Sequence, residues 1–479
     1  MPNFAIFGPP GTGKTTEMLR RMKESVERGL RPQDIGFFSF TKAASNEALK
    51  RLNLTRSDKI STLHSLAFRS IGASPQTMID WRKLKRFGEM AGIPFSGAVS
   101  DEYGDQMQEG DKYVAIYDRA RSRKVALSDA YYADDSDRPG DHAKFIHFAE
   151  SFESYKKAYG YMDFTDLLQI YCERPVNHGA RSLYIDEAQD LSRLQWRMIH
   201  AMMSFDQVEE TTIAGDDDQA IFEWAGADPH GMAGWAETSN AEATVLSQSY
   251  RVPAPVHDVA RQIVVRIENR VQKRYRAATH NGVVIHSALG VDGMAVEHGD
   301  DAMILVRSSA QRKEVEDALI RRRVPYKAEG GKPSLFDSSW AQAFRAFHSL
   351  KENRANITQD MIDVMHKHGS SRARSAIEKR DFAALVALGK RAAIVVPPHL
   401  QDFFDNADLI ATPTVRLSTI HASKGREAKK IFLHTGITER TERGMTTNPD
   451  AEHRVWYVAV TRAREELHVI ETPNIGYEL

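Results

Sequence analysis

Residues 8–15 read GPPGTGKT, a glycine-rich run closed by a lysine and a threonine. The pattern GxxxxGK[ST] suits one kind of ligand, a polyphosphate. Glycines 8, 11 and 13 allow the backbone to curl so that its N–H groups, and the start of the next helix, face phosphate oxygens. Lys14 then reaches the outer phosphates and Thr15 is placed to ligate Mg²⁺. A phosphate loop alone says only nucleoside triphosphate, so a carboxylate site must decide the reaction. Residues 182–187, SLYIDE, supply one, an apolar run ending in two acids. Asp186 is assigned to the metal and Glu187 to the base that orients and deprotonates an attacking water. The competing structural role, an acidic cap for a helix starting near Leu191, suits Asp190 better than the Asp186–Glu187 pair. Two acids far downstream of Lys14 favour hydrolysis over transfer to a small substrate.

The elements that must position these residues are readable nearby. An apolar strand over 3–7 enters the loop and a helical run over 14–29 leaves it, the context the motif needs. Apolar strand-like segments alternate with helical ones around both sites, which predicts α/β architecture with mostly parallel sheets. Histidines at metal-like spacing, His366 with His368 and His142 with His147, lack an HExxH or cysteine partner and read as solvated or locally hydrogen-bonded.

The two sites belong to an ordered series of segments that resembles the UvrD/Rep-like family of superfamily 1A DNA helicases. After GPPGTGKTT come FSFTKAASNEALKRL at 38–52, STLHSLAF at 61–68 and DFTDLL at 163–168. LYIDEAQD at 183–190 and AGDDDQAIFEWAGA at 214–227 follow. LSQSYRVP at 246–253, VRLSTIHASKGREAKKIFL at 415–433 and WYVAVTRAREEL at 456–467 complete the order. The SYR and TIHASKG forms resemble the 3′→5′ branch.

The resemblance implies an ATP- and Mg²⁺-dependent motor with two RecA-like P-loop domains, each carrying an inserted helical subdomain. Gly8, Gly11, Thr12, Gly13, Lys14, Thr15 and Thr16 would line the nucleotide. Gln219 would sense the γ-phosphate. Arg251 and Arg462 would be arginines of the second motor domain that stabilise the transferred phosphoryl group. Tyr250 is similar to the aromatic that stacks on the base, and Glu427 to the acid near the ribose. On the nucleic-acid side the family pattern implies Phe40, Thr41, His64, Phe222, Trp224, Thr419 and His421. Stacking on aromatics is worth about 1–3 kcal/mol per base and is sequence-tolerant, as a translocating motor requires. Trp224, between a polar DDDQ turn and the small residues 225–227, reads as accessible, whereas Phe222 also suits a core position.

Three departures qualify the carry-over. The chain begins a few residues before the phosphate loop, with no counterpart of the family's adenine-reading glutamine segment, and Thr16 stands where an arginine commonly sandwiches the base. Both imply relaxed base discrimination. Ala225 stands where an arginine often follows the tryptophan, which removes one phosphate contact.

The expected first motor domain covers 1–65 and 162–245, with a helical insertion at 66–161. The second covers 246–345 and 412–479, with a reduced insertion at 346–411. The 479 residues carry 64 Lys plus Arg against 65 Asp plus Glu, a net charge of −1, which excludes a bulk polycation gripping nucleic acid by charge alone. Local basic runs at 82–86, 121–124 and 321–323 can serve instead. A single cysteine, Cys172, excludes an internal disulfide and fits a reducing compartment. With no apolar run near the about 18 residues of a membrane span and no signal peptide, the chain reads as cytoplasmic.

The function expected is ATP-driven 3′→5′ movement on single-stranded DNA with duplex unwinding. The alternative is a DNA-stimulated ATPase that remodels protein–DNA complexes without processive unwinding. A P-loop kinase or GTPase is disfavoured by the absence of NKxD and by the expected place of the arginine-bearing segments in a second domain. Expected partners are single-stranded DNA and single/double-strand junctions, with a replication or repair loading protein as a further candidate, and the chain is expected to act as a monomer.

Overall fold

NFAIF, IGFF, SLYI and ETTIAG are short runs with apolar residues at successive positions, the signature of strands covered on both faces. In the computed structural model they are β1 (Asn3–Phe7), β2 (Ile35–Phe38), β4 (Ser182–Ile185) and β5 (Glu210–Gly215); β3 (Ile60–Ser61) and β6 (Glu242–Val245) complete a six-stranded sheet ordered β3-β2-β4-β5-β1-β6. Every pairing in it is parallel. The structure describes residues 2–39, 42–97, 107–133, 140–287, 290–294, 301–330, 334–352, 357–472 and 476–479.

Alternation along the strands assigns each side chain to one helical layer. Ala5, Phe7, Phe38, Leu183 and Ile185 pack on the helices Leu63–Ser70, Phe164–Glu173 and Arg193–Met203. Ile6, Phe37, Tyr184 and Ala214 face the helices Lys14–Glu27 and Lys42–Arg51. The helix after the two acids starts later than the sequence suggests. Its cap is Ser192, whose hydroxyl accepts from the Gln195 N–H while the Gln195 side chain returns to the Ser192 N–H. Asp190 lies in the preceding 3₁₀ turn and is not the cap.

Between β3 and β4 the described residues are largely helical: Trp81–Ala91, Glu109–Arg123, Leu127–Ala133 and His142–Tyr159. Their core is aromatic, with Phe148 and Phe152 stacked at 5.6 Å. At its base Lys156, 2 % exposed, donates to Asp163 at 2.7 Å and to Asp166 at 2.8 Å, and Arg121 reaches both acids. Asp163 also caps the helix Phe164–Glu173, so the ion cluster ties the helical segment to the sheet's own layer. Lys156→Met leaves these carboxylates buried against one arginine, and the expected loss is about 3–5 kcal/mol. Urea unfolding measures it; an unchanged midpoint would assign the cluster no structural weight.

The second sheet comprises β9 (Val283–Ser287), β10 (Ala302–Val306), β11 (Tyr326–Glu329), β12 (Val415–Thr419), β13 (Ala428–His434) and β14 (Ala463–Ile470), ordered β11-β12-β10-β13-β14-β9 and parallel throughout. Between β11 and β12 the described residues form short helices around Phe344, Phe347, Phe403 and Phe404. A separate pair, β7 (Gln248–Pro253) and β8 (Arg276–Ala278), forms a two-stranded sheet.

Two compact units result. The first is Met1–Arg251 with Val264–Ala278 and Gly444–Arg454; the second is Val252–Ile263, Thr279–Arg443 and Val455–Leu479. Residues 246–251, 264–278 and 444–454, which the sequence boundaries assign to the second motor domain, thus cluster with the first sheet. For 246–251 hydrogen bonds give the reason: the Tyr250 N–H donates to the Gly11 carbonyl at 2.9 Å and the Ser249 hydroxyl to the Pro10 carbonyl at 2.8 Å. Among the described residues no helix is long and apolar enough to cross a membrane.

Candidate nucleotide and nucleic-acid sites

Because β1, β4 and β5 run parallel in adjacent register, the loops after Phe7, Ile185 and Gly215 leave one edge of the sheet, where ligands of open α/β sheets bind. The Gly8 N–H donates to the Gly215 carbonyl at 2.9 Å, which stitches two of these loops together. Gly11 and Gly13 have φ of 71° and 82°, left-handed values that a side chain strains, and Gly13 is the N-cap of the helix that Lys14 begins. A Cβ on Gly8 would sit 2.0 Å from Lys14 Cγ, and one on Gly11 2.3 Å from Arg251 Cβ. At Gly8 and Gly11 the loop therefore has no room for a side chain. Lys14 Nζ donates to the Gly8 carbonyl at 2.7 Å and Thr12 Oγ1 to the Pro9 carbonyl at 2.8 Å.

The Thr15 hydroxyl donates to Asp186 Oδ2 at 3.0 Å, which joins two residues 171 positions apart. Asp186 is buried, and burial, with the neighbouring charge of Glu187, pushes its carboxyl up to about 7. Glu187 sits at φ 54°, a left-handed conformation for a non-glycine residue and a common mark of a functional site. Its N–H donates to Asp186 Oδ1 at 3.0 Å.

Gln189 was not legible as a site residue, yet it is fully buried and bridges two of the loops. Its Nε2 donates to Glu187 Oε2 at 2.6 Å, while its Oε1 accepts from the Asp216 N–H at 2.9 Å. Asp216 in turn accepts from Gln219 Nε2 at 2.7 Å. Base and sensor candidates are thereby linked through one amide. Tyr250, 75 % exposed, leaves a ring face accessible beside the phosphate loop. Thr16 is exposed on the first turn of the loop's helix.

Of the nucleic-acid candidates, Phe40 and Thr41 lie outside the described residues. His64 is on the helix Leu63–Ser70, and burial lowers its imidazole pKa. Phe164, in the DFTDLL segment, meets it edge-on at 5.9 Å and is 63 % exposed, a large aromatic that sequence reasoning left unassigned. Phe222 and Trp224 are both half-buried, with ring centroids 6.5 Å apart, so the contrast expected between them is absent. In the second compact unit Thr419 ends β12 and its Oγ1 accepts from the Ala422 N–H, while His421 is buried. Glu427 is half-buried, with Arg464 3.8 Å away. Arg462 is 1 % exposed; its Nε donates to the Val458 carbonyl at 3.0 Å and its Nη1 to the Arg426 carbonyl at 3.3 Å.

Residues 2–239 match the UvrD/REP helicase N-terminal domain and residues 396–474 the UvrD-like helicase C-terminal domain, together more than half of the chain. The chain belongs to the UvrD/Rep helicase family. DNA helicase II of Haemophilus influenzae is 26% identical, the match covering 69% of this chain and 49% of that protein. ATP-dependent DNA helicase UvrD2 of Mycobacterium tuberculosis is 24% identical, over 96% of this chain and 75% of the relative. ATP-dependent DNA helicase Rep of Escherichia coli is 22% identical, over 68% of this chain and 53% of the relative. The chain thus spans about half the length of DNA helicase II and of Rep.

For a UvrD/Rep family member the residues present suit a magnesium-bound nucleotide. Gly8 and Gly11 have no space for a side chain, and the Thr15 hydroxyl beside the Asp186 carboxylate is a pair of hard oxygen donors. Of the three departures, the two single-residue ones, Thr16 and Ala225, are both exposed.

Proposed function

We propose that this chain is an ATP-dependent DNA helicase and translocase, coupling hydrolysis to 3′→5′ movement on single-stranded DNA and to unwinding of the duplex ahead. The observation that carries the reading is the hydrogen bond between Thr15 and Asp186, which sets the phosphate loop beside the strand-end acids. Thr15 and Asp186 would hold Mg²⁺, which when bound would supply Lewis-acid charge withdrawal. Lys14 binds the outer phosphates, and the loop glycines bring backbone N–H donors close. Glu187 takes a proton from the attacking water, oriented by Gln189. Gln219 reads the γ-phosphate, Arg251 and Arg462 stabilise the transferred phosphoryl group, Tyr250 stacks on the base and Glu427 lies near the ribose.

The same reading divides the chain into two motor domains with helical insertions at 66–161 and 346–411. It makes single-stranded DNA and strand junctions the substrate, a replication or repair protein the loading partner, and the monomer the acting form. The cytoplasm, where ATP and DNA are both at hand, is the compartment.

His64, Phe222, Trp224 and the exposed Phe164 form the stacking surface in the first unit, with Thr419 and His421 contacting DNA from the second. Trp224→Ala and Phe164→Ala should each weaken single-stranded DNA binding by about 1–3 kcal/mol. Fluorescence anisotropy reads the affinity; DNA-stimulated turnover should fall more than basal turnover. Parent-level affinity in both variants would remove the stacking surface.

Phosphate release measured with ATP and with GTP, with and without single-stranded DNA, tests the whole reading when run beside unwinding of 3′- and 5′-tailed duplexes. Strong DNA stimulation and unwinding of the 3′-tailed duplex are expected. Turnover indifferent to DNA would overturn the motor, and unwinding only from a 5′ tail would overturn the polarity.

A further inference from the structure

Asp216, Asp217 and Asp218 follow β5 as three consecutive carboxylates, all buried. Adjacent buried anions repel, so such a strap requires cations delivered to it. The remote segment Val264–Ala278 delivers them, and Gly444–Arg454 adds a bond to the strap's backbone; both are part of the first compact unit. The Lys273 side chain, 1 % exposed, bonds Asp217 and lies 2.9 Å from Asp218 Oδ2 and 3.3 Å from Asp216 Oδ1. Burial disfavours its ammonium, but the three aspartates outweigh that and hold it above the ordinary lysine value. Arg270 forks onto Asp218, its Nε 2.6 Å from Oδ1. The Val271 N–H donates to Asp217 Oδ2 at 2.7 Å, and Arg454 Nε donates to the Asp217 carbonyl at 3.0 Å.

The strap ends on Gln219. Asp216 accepts from Gln219 Nε2 through Oδ2 and faces Lys273 through Oδ1, so the lysine, the carboxylate and the amide form one line. We propose that Lys273 and Arg270 are positioning residues for Gln219, holding the Asp216–Asp218 strap so that the amide presents a fixed donor end to the nucleotide. The role presupposes that Gln219 is the phosphate sensor, as proposed above. Neither cation touches the nucleotide in this role; both act through the aspartates. Basic residues in RVQKRYR would ordinarily be a solvated face, but side chains 1 % and 6 % exposed on buried carboxylates are not. A merely structural role would lower stability without singling out the chemical step. A positioning role lowers kcat, spares ATP binding and vanishes once Gln219 is removed.

The test uses the full chain with saturating single-stranded DNA. ATP turnover, KM for ATP and thermal unfolding are measured for Lys273→Met, Lys273→Arg, Arg270→Lys and Gln219→Ala, and for the Lys273→Met and Arg270→Lys changes each combined with Gln219→Ala. Lys273→Met should lower kcat by about 100-fold, the scale of a small misplacement of a catalytic group. Arg270→Lys should lower it less, Lys273→Arg should recover part of the rate, and KM should stay near the parent value. Each double variant should be no slower than Gln219→Ala alone, because the second change has nothing left to misplace. Losses that multiply in the doubles, or a raised KM with unchanged kcat, would overturn the positioning role and leave the sensor standing. Parent-level kcat in Gln219→Ala would instead remove the sensor, and the positioning role with it. If Lys273→Met does not fold, Arg270→Lys, which preserves the number of cations, decides by the same criteria.

Discussion

Glu187→Gln should lower single-turnover ATP hydrolysis by about 10²–10⁴-fold, the contribution typical of a general base, and leave nucleotide affinity in place. The substitution is nearly isosteric. It keeps the φ of 54°, the backbone bond from the residue-187 N–H to Asp186, and the contact between Thr15 and Asp186, the proposed metal ligands. What it removes is the group proposed to accept the proton of the attacking water. Gln189 donates to Glu187 Oε2 at 2.6 Å, and a glutamine side chain at 187 can still offer its carbonyl oxygen there. The loss should therefore appear in the chemical step alone. Rapid-quench single-turnover rates with the DNA site saturated make the measurement; a rate within a few-fold of the parent would exclude Glu187 as the base.

Arg462→Ala carries the other large expectation, a loss of about 10³–10⁵-fold in turnover, the scale for removing an arginine that neutralises phosphoryl charge. This arginine also anchors its own surroundings, with bonds to the Val458 and Arg426 carbonyls, so truncation removes both bonds, the Val458 carbonyl keeping the Thr461 hydroxyl. Arg462→Lys separates the contributions. It preserves the positive charge but cannot reproduce the planar fork. Catalytic involvement predicts that the lysine variant melts close to the parent temperature yet hydrolyses far more slowly. If turnover follows only the melting temperature across both variants, Arg462 is an anchor and nothing more.

How much of this was readable in advance depends on the range over which each feature is encoded. The phosphate loop is local: Gly11 and Gly13 need positive φ, and the apolar run before and helix after are set by neighbours a few residues away. Two parallel sheets and helical segments between β3 and β4 and between β11 and β12 follow the same short-range periodicities. Even the helix after the acids was legible in kind, though its start was displaced because Ser192 and Gln195 make a reciprocal cap that a lone Asp190 cannot.

Other features had no local signal. Phe164 looks like any aromatic in an amphipathic helix until its exposure and its contact with His64 are seen. Gln189 is one polar residue in an acidic turn, and only the approach of the loops after β4 and β5 makes it a bridge. Lys273 and Arg270 sit in a basic stretch indistinguishable by composition from a solvated surface. Charge burial is a property of what packs around a residue, and no periodicity along the chain encodes it.

The sequence by itself thus determined which chemistry is present, since a glycine-curled phosphate loop, strand-end acids and their order require only local dihedral preferences and apolar patterning. Tertiary structure alone decided which residues serve that chemistry together. Sheet order and register brought Thr15 to Asp186 across 171 positions. Burial of three adjacent aspartates then made the cations of a distant segment, Lys273 and Arg270, a requirement of the fold, because unpaired charge does not persist away from water.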